Sequence, residues 1–128
     1  MAAVTRPPMV SYSSSSNSAS KRWLKSAIGV SASTTNWPSA RAYPWKTLLR
    51  ARAIENLCYV VGVNRVGTDG NGLHYSGDSA VIDFLGHPLS EATDEEVTST
   101  MLLQAAPLLE HRARFPALLD ADAFHLAR

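Results

Sequence analysis

Along residues 44–57, PWKTLLRARAIENL, the apolar positions Trp45, Leu48, Leu49, Ala53, Ile54 and Leu57 recur at the spacing of one helix face. Pro44 suits the first turn of that helix, where a backbone N–H has no intrahelical partner to lose. At Cys58 the period changes. Residues 58–67, CYVVGVNRVG, are β-branched, nearly uncharged and closed by Gly67, which predicts a buried strand. Residues 68–72, TDGNG, are rich in types that tolerate positive φ and predict a turn. Further strands are expected over 79–84 and 89–92, with a turn at 85–88 between them. Another is expected over 95–103, where residues 101–103 could instead open a helix. Pro107 can open a helix over 107–114, and Pro116 ends it. Residues 117–128 suit a short helix or a tail held against the surface.

The first third of the chain has a different texture. Residues 11–20, SYSSSSNSAS, are low in complexity and bury little, so they cannot offset the entropy of ordering them. Residues 1–33 are therefore expected to be disordered, with 21–30 able to form a short helix or strand. Residues 34–45, holding Pro38 and Pro44, read as a loop.

The chain has 128 residues, enough for one modest core. Its net charge of +1 hides an asymmetry, because every acidic residue lies at or after Glu55 while eight of the twelve basic ones precede it. The basic residues are dispersed, which argues against nucleic-acid binding. The Ser-rich, acid-free start has the composition of an organelle transit peptide, but its arginine content is low and its amphipathicity weak. No apolar run approaches the roughly 20 residues of a membrane helix, and one cysteine excludes an internal disulfide framework. A cytoplasmic protein without membrane contact is the expectation.

Few residues here suggest chemistry by type. The single cysteine, Cys58, is a candidate nucleophile, but it stands between an apolar helix end and an apolar strand, with nothing adjacent in sequence to lower its pKa. His74, Asp78 and Ser79 have the residue types of a hydrolytic triad without a Gly-x-Ser-x-Gly elbow. His74, His87, His111 and His125 lack metal-ligand spacing, so neither a metal site nor a cofactor is expected. Arg52 and Glu55 stand three apart and can pair on one helix face.

Several strings occur together in order: Asn36-Trp37-Pro38, Arg52-Ala53-Ile54-Glu55-Asn56, Asn64-Arg65-Val66-Gly67, Asp69-Gly70-Asn71-Gly72 and Gly77-Asp78-Ser79. From about residue 34 to 126 the chain resembles the C-terminal half of the carbon–nitrogen hydrolases of the nitrilase superfamily, nearest the omega-amidase type. The resemblance implies an α+β fold, part of an αββα sandwich that dimerises into four layers.

It also implies a Glu–Lys–Cys catalytic set needing no metal or cofactor. The thiolate attacks the amide carbonyl, the lysine holds the oxyanion, and the glutamate moves protons as ammonia leaves. The substrates it implies are small amides, the terminal amides of 2-oxo dicarboxylic monoamides. The family's nucleophile stands in a motif like Cys-Tyr-Asp-Leu-Arg-Phe-Pro, about two dozen residues before Asn36. That offset falls near Ser13, where no such motif stands, and Lys21 lies too near Ala51 to be the family's lysine.

No catalytic residue is therefore assigned. Asn36 and Trp37 are expected at the rim of the substrate pocket, and Arg52, Glu55, Asn56 and Cys58 are expected to be structural. Three expectations compete: an inactive hydrolase fragment, a non-catalytic fragment that pairs with itself or with a full-length relative, and a gene-model remnant with foreign sequence over 1–33.

Overall fold

A computed structural model describes residues 9–13 and 30–120. The elements in order are β1 (Met9–Ser13), β2 (Val30–Thr35), a 3-10 turn (Ser39–Arg41), α1 (Ala42–Glu55), β3 (Tyr59–Asn64) and β4 (Val66–Thr68). They are followed by β5 (His74–Ile82), β6 (Pro88–Thr93), β7 (Thr98–Leu102), α2 (Ala105–Arg114) and a second 3-10 turn (Ala117–Asp120).

β2 and β3 run parallel, with α1 as the crossover between them, and their register sets Val30 against Tyr59 and Thr35 against Asn64. β3 pairs antiparallel with β5, and β6 pairs with β5 as well. β4 continues β3 along the outer half of β5. Val60 faces Ile82 and Val66 faces Ser76 in one unbroken register, so β3 and β4 are a single path interrupted at Arg65. β1 and β7 form a separate antiparallel pair.

The sheet is buried on both faces. On one, Trp45, Leu49 and Ala53 of α1 pack with Cys58, Val60, Ala80 and Ile82. On the other, Val30, Tyr59, Val61 and Val81 lie with Leu103 and Leu108, and Ala32, Val63, Phe84 and Met101 are partly buried against them. Fully burying one such aliphatic side chain contributes about 1.5–3 kcal/mol, so these two clusters carry the fold. Close approach of α1 requires glycine at 62. A Cβ there would lie 2.5 Å from Leu49 Cδ1 and 2.9 Å from Trp45 Cζ2.

The structure revises several expected boundaries. Met9–Ser13 and Val30–Ser33 are strand, against the expected disorder over 1–33; residues 1–8 and 14–29 of that stretch lie outside the described residues. β2 is rich in serine and alanine, and its apolar alternation is short, only Val30 and Ala32. Its place comes from backbone pairing with β3, which asks little of side chains. The expected loop over 34–45 is strand to Thr35 and helix from Ala42. β5 starts at His74 rather than 79, because its polar first half pairs with β4. β7 covers only Thr98–Leu102, and α2 starts at Ala105. Leu48 and Ile54 are about half exposed, so the buried stripe of α1 is narrower than its apolar spacing implied. Ile54 instead lies over the turn at Gly86, where a Cβ would sit 2.7 Å from Ile54 Cδ1.

Candidate substrate-contact loop

The parallel ladder ends where Thr35 meets Asn64, and the chain turns away through Asn36, Trp37 and Pro38. The Asn64 carboxamide holds that turn. The backbone N–H of Trp37 donates to Asn64 Oδ1 at 2.8 Å, and Asn64 Nδ2 donates to the Trp37 carbonyl at 2.9 Å. A primary amide has the donor and acceptor of a peptide group, so this side chain stands in for the next backbone rung. Asn64 is 2% exposed, whereas Asn36 is exposed and Trp37 partly buried.

Asn64 is itself tied to β5. Its N–H donates to Ser79 Oγ at 3.0 Å, and that hydroxyl donates to the Asn64 carbonyl at 3.2 Å. Next to Ser79 lies a bulge. Gly77 and Asp78 both have positive φ, +71° and +54°, and the pairing with β6 shifts there. Trp45 Nε1 donates to the Asp78 carbonyl at 2.8 Å, fixing the bulge to α1.

The Asp78 carboxylate is buried and fully engaged. Lys46 Nζ lies 2.8 Å from Oδ1, Ser76 Oγ donates to Oδ2 at 2.6 Å, and Thr93 Oγ1 lies 3.4 Å from Oδ1. Burial alone would raise its pKa. The hydrogen bonds from Lys46 and Ser76, with the lysine charge, outweigh burial and hold it below the usual carboxylate range.

The turn is braced on its outer side too. Trp37 and Trp45 are stacked at a tilt with centroids 6.0 Å apart, and the Arg41 guanidinium lies 4.7 Å over the Trp37 ring. Ser39 Oγ lies 2.7 Å from His74 Nδ1 and donates to the His74 carbonyl at 3.1 Å.

The triad-like residues are not assembled. His74 meets Ser39, Asp78 meets Lys46, and Ser79 meets the Asn64 backbone. Arg52 and Glu55 form an exposed ion pair at the far end of α1. Asn56 Nδ2 donates to the Arg52 carbonyl at 2.9 Å, beside the bond that the Asn56 N–H makes to the same carbonyl at 3.3 Å.

Cys58 is buried, and its N–H donates to the Ala53 carbonyl at 3.1 Å. Burial raises the thiol pKa, and the Arg112 cation opposes this without reversing it. A pKa-lowering neighbour thus exists, 54 residues away in sequence, where local reading found none; Arg112 Nε donates to the Leu57 carbonyl at 2.8 Å. A cavity of about 530 Å³ beside that contact is lined by Leu57, Arg112, Ala113, Pro116 and Leu119, and none of the loop residues reaches it.

Among the described residues no three His, Cys, Asp or Glu side chains are grouped to hold a metal, and no helix is long and apolar enough to cross a membrane. Lys21 lies outside the described residues. Reading the sequence alone assigned no role to Asn64 or Lys46. The available signal for Asn64 was a lone polar side chain closing an apolar strand.

Comparison with known proteins places this geometry in a family. The carbon-nitrogen hydrolase profile matches residues 24–108, beginning upstream of β2 and thus earlier than residue 34. The omega-amidase YafV of Escherichia coli K12 is 51% identical over 92 residues, covering 71% of this chain and 36% of that protein. The 2-oxoglutaramate amidase of Paenarthrobacter nicotinovorans is 40% identical over 87 residues, 68% of this chain and 29% of that one. A crystal structure of a CN-hydrolase superfamily protein from Xanthomonas campestris, with an arsenic adduct in its active site, superposes with a TM-score of 0.74 at 65% identity. It covers 77% of this chain and 37% of that one. The chain thus spans 29–37% of the length of these relatives, and over that span its β2–α1–β3 unit and the elements packed on it belong to the carbon–nitrogen hydrolase family.

Proposed function

We propose that this chain forms the C-terminal scaffold of an omega-amidase-like hydrolase, with Asn36 and Trp37 at the rim of the substrate pocket. The observation that carries this reading is the Asn64 staple, which fixes an exposed Asn36 and a partly buried Trp37 at the end of a parallel strand. Chain ends beside strand termini in layered folds are where loops contact small ligands. The substrate class, by similarity to the omega-amidases, is the terminal amide of a 2-oxo dicarboxylic monoamide, released as ammonia.

The family's nucleophile motif does not stand in this sequence, and Cys58 is buried with a raised pKa. Hydrolysis therefore requires a protein that also supplies the Glu–Lys–Cys set. The purified chain is expected to release no ammonia above blank from 2-oxoglutaramate. Release that persists in Cys58→Ala would overturn this account of the chemistry.

A second reading, a non-catalytic fragment that pairs with another copy or with a full-length relative, is favoured by the apolar residues around α2. Leu109, Phe115 and Leu119 are each more than half exposed. Size-exclusion chromatography with and without a full-length relative tests it, and an unchanged monomer in both runs counts against pairing.

A further inference from the structure

We infer that Asn64 is a positioning residue for the Asn36–Trp37 turn, setting the loop's conformation from the core without touching substrate. This rests on the reading of that turn as the pocket rim. It goes further by naming what holds the rim and why only one side chain can do so.

Beyond Thr35 the two chains can no longer pair through backbone, because β3 breaks at Arg65 and β2 turns away. Both the N–H and the carbonyl of Trp37 then need partners in a partly buried setting. Asn64 answers both with one carboxamide, at 2.8 and 2.9 Å, across 27 residues of sequence. Aspartate would keep the acceptor and lose the donor. Leucine has the same shape with neither. Glutamine is one methylene too long for a site that is 2% exposed.

The anchor is itself immobile. Ser79 Oγ bonds both backbone groups of Asn64, and the adjoining bulge is held by Trp45 Nε1 on the Asp78 carbonyl. The rim's conformation is thereby set by β5 and α1 as well as by β3. The Trp37 ring extends the same link outward, because it meets Trp45 at 6.0 Å and carries Arg41 on its face.

Fluorine NMR of the full chain labelled with 5-fluorotryptophan tests this. The three lines, from Trp23, Trp37 and Trp45, are assigned with single Trp→Phe variants. In Asn64→Leu the Trp37 line is expected to shift or broaden by more than the Trp45 line, which senses the neighbouring ring but keeps its bond to the Asp78 carbonyl. Asn64→Asp, which keeps the acceptor but sets a carboxylate oxygen against the Trp37 carbonyl, is expected to move the Trp37 line as well. Asn64→Ser serves the same comparison if the leucine variant does not fold.

A Trp37 line that does not move in any folded Asn64 variant overturns the inference. So does an equal displacement of the Trp37 and Trp45 lines, which would mark a general loosening of the core. These outcomes are read without substrate, so a failure of the hydrolase reading in the ammonia assay remains separate from a failure here.

Discussion

The Lys46 ammonium reaches over the end of the sheet to Asp78, 2.8 Å from Oδ1, and joins α1 to the bulge of β5. Asp78 is 4% exposed and Lys46 42% exposed. Water screens the lysine end, so the pair is worth less than a fully buried one. Lys46→Met is expected to cost about 1–3 kcal/mol, chiefly by leaving a buried carboxylate without its cation. Denaturant unfolding followed by circular dichroism measures it.

The same carboxylate predicts acid sensitivity. Its pKa is lower in the folded chain than in the unfolded one, so its contribution is complete above the unfolded value and is lost as pH falls through the folded value. Stability should therefore fall with acid below about pH 4, the ordinary aspartate range. In Asp78→Asn that part of the pH dependence should flatten. A wild-type and variant pair with identical acid profiles would assign the loss to other groups.

Gly62→Ala is expected to destabilise by about 1–3 kcal/mol, since the added methyl must displace Leu49 and press on the Trp45 ring. Thermal unfolding of the variant beside the parent is the direct check. Leu49→Ala should cost less on the Gly62→Ala background than alone, because the added methyl takes up part of the room it opens.

Cys58 should react with iodoacetamide far more slowly in the folded chain than in denaturant, because burial raises its pKa and hides its sulfur. Cys58→Ala should be tolerated better than Cys58→Ser, whose hydroxyl would need a new partner at a cost of about 1–3 kcal/mol. Equal alkylation rates in both conditions would contradict the buried position.

The ion pair and the helix-end bond in Arg52–Asn56 should differ in weight. Arg52→Ala removes an exposed pair and is expected to change stability by less than about 1 kcal/mol. Asn56→Ala removes the side-chain bond but leaves the Arg52 carbonyl its bond from the residue 56 N–H, and should cost about 0.5–1 kcal/mol. Urea midpoints of the two variants separate these effects.

How far the structure could be read ahead of time depended on whether its cause was local. Trp45, Leu49 and Ala53 are spaced by four residues and all are buried, so α1 was legible. The apolar run through Tyr59, Val60 and Val61 marked β3 in the same way. β2 was hidden because Ser31, Ala32 and Ser33 carry little apolar signal, and their pairing is with residues 29 positions on. The polar start of β5 was not expected as strand, because it carries little apolar signal and its partner β4 is only three residues long. The sequence singled out Asn36 and Trp37 as a candidate loop, but not the staple that holds it. Nothing local to Asn64 says that its amide reaches a residue 27 positions back.

The outermost pairing has a consequence for the order in which the structure assembles. Met9 lies opposite Leu102 and Ser13 opposite Thr98, so this ladder closes a loop that contains nearly every other described element. The β3–β5 pairing closes a much shorter one. Loop-closure entropy makes the short closure first and the long one last. The same ordering read backwards makes the β1–β7 amides the first to exchange with deuterium, while those of β3 and β5 wait for the whole sheet to open.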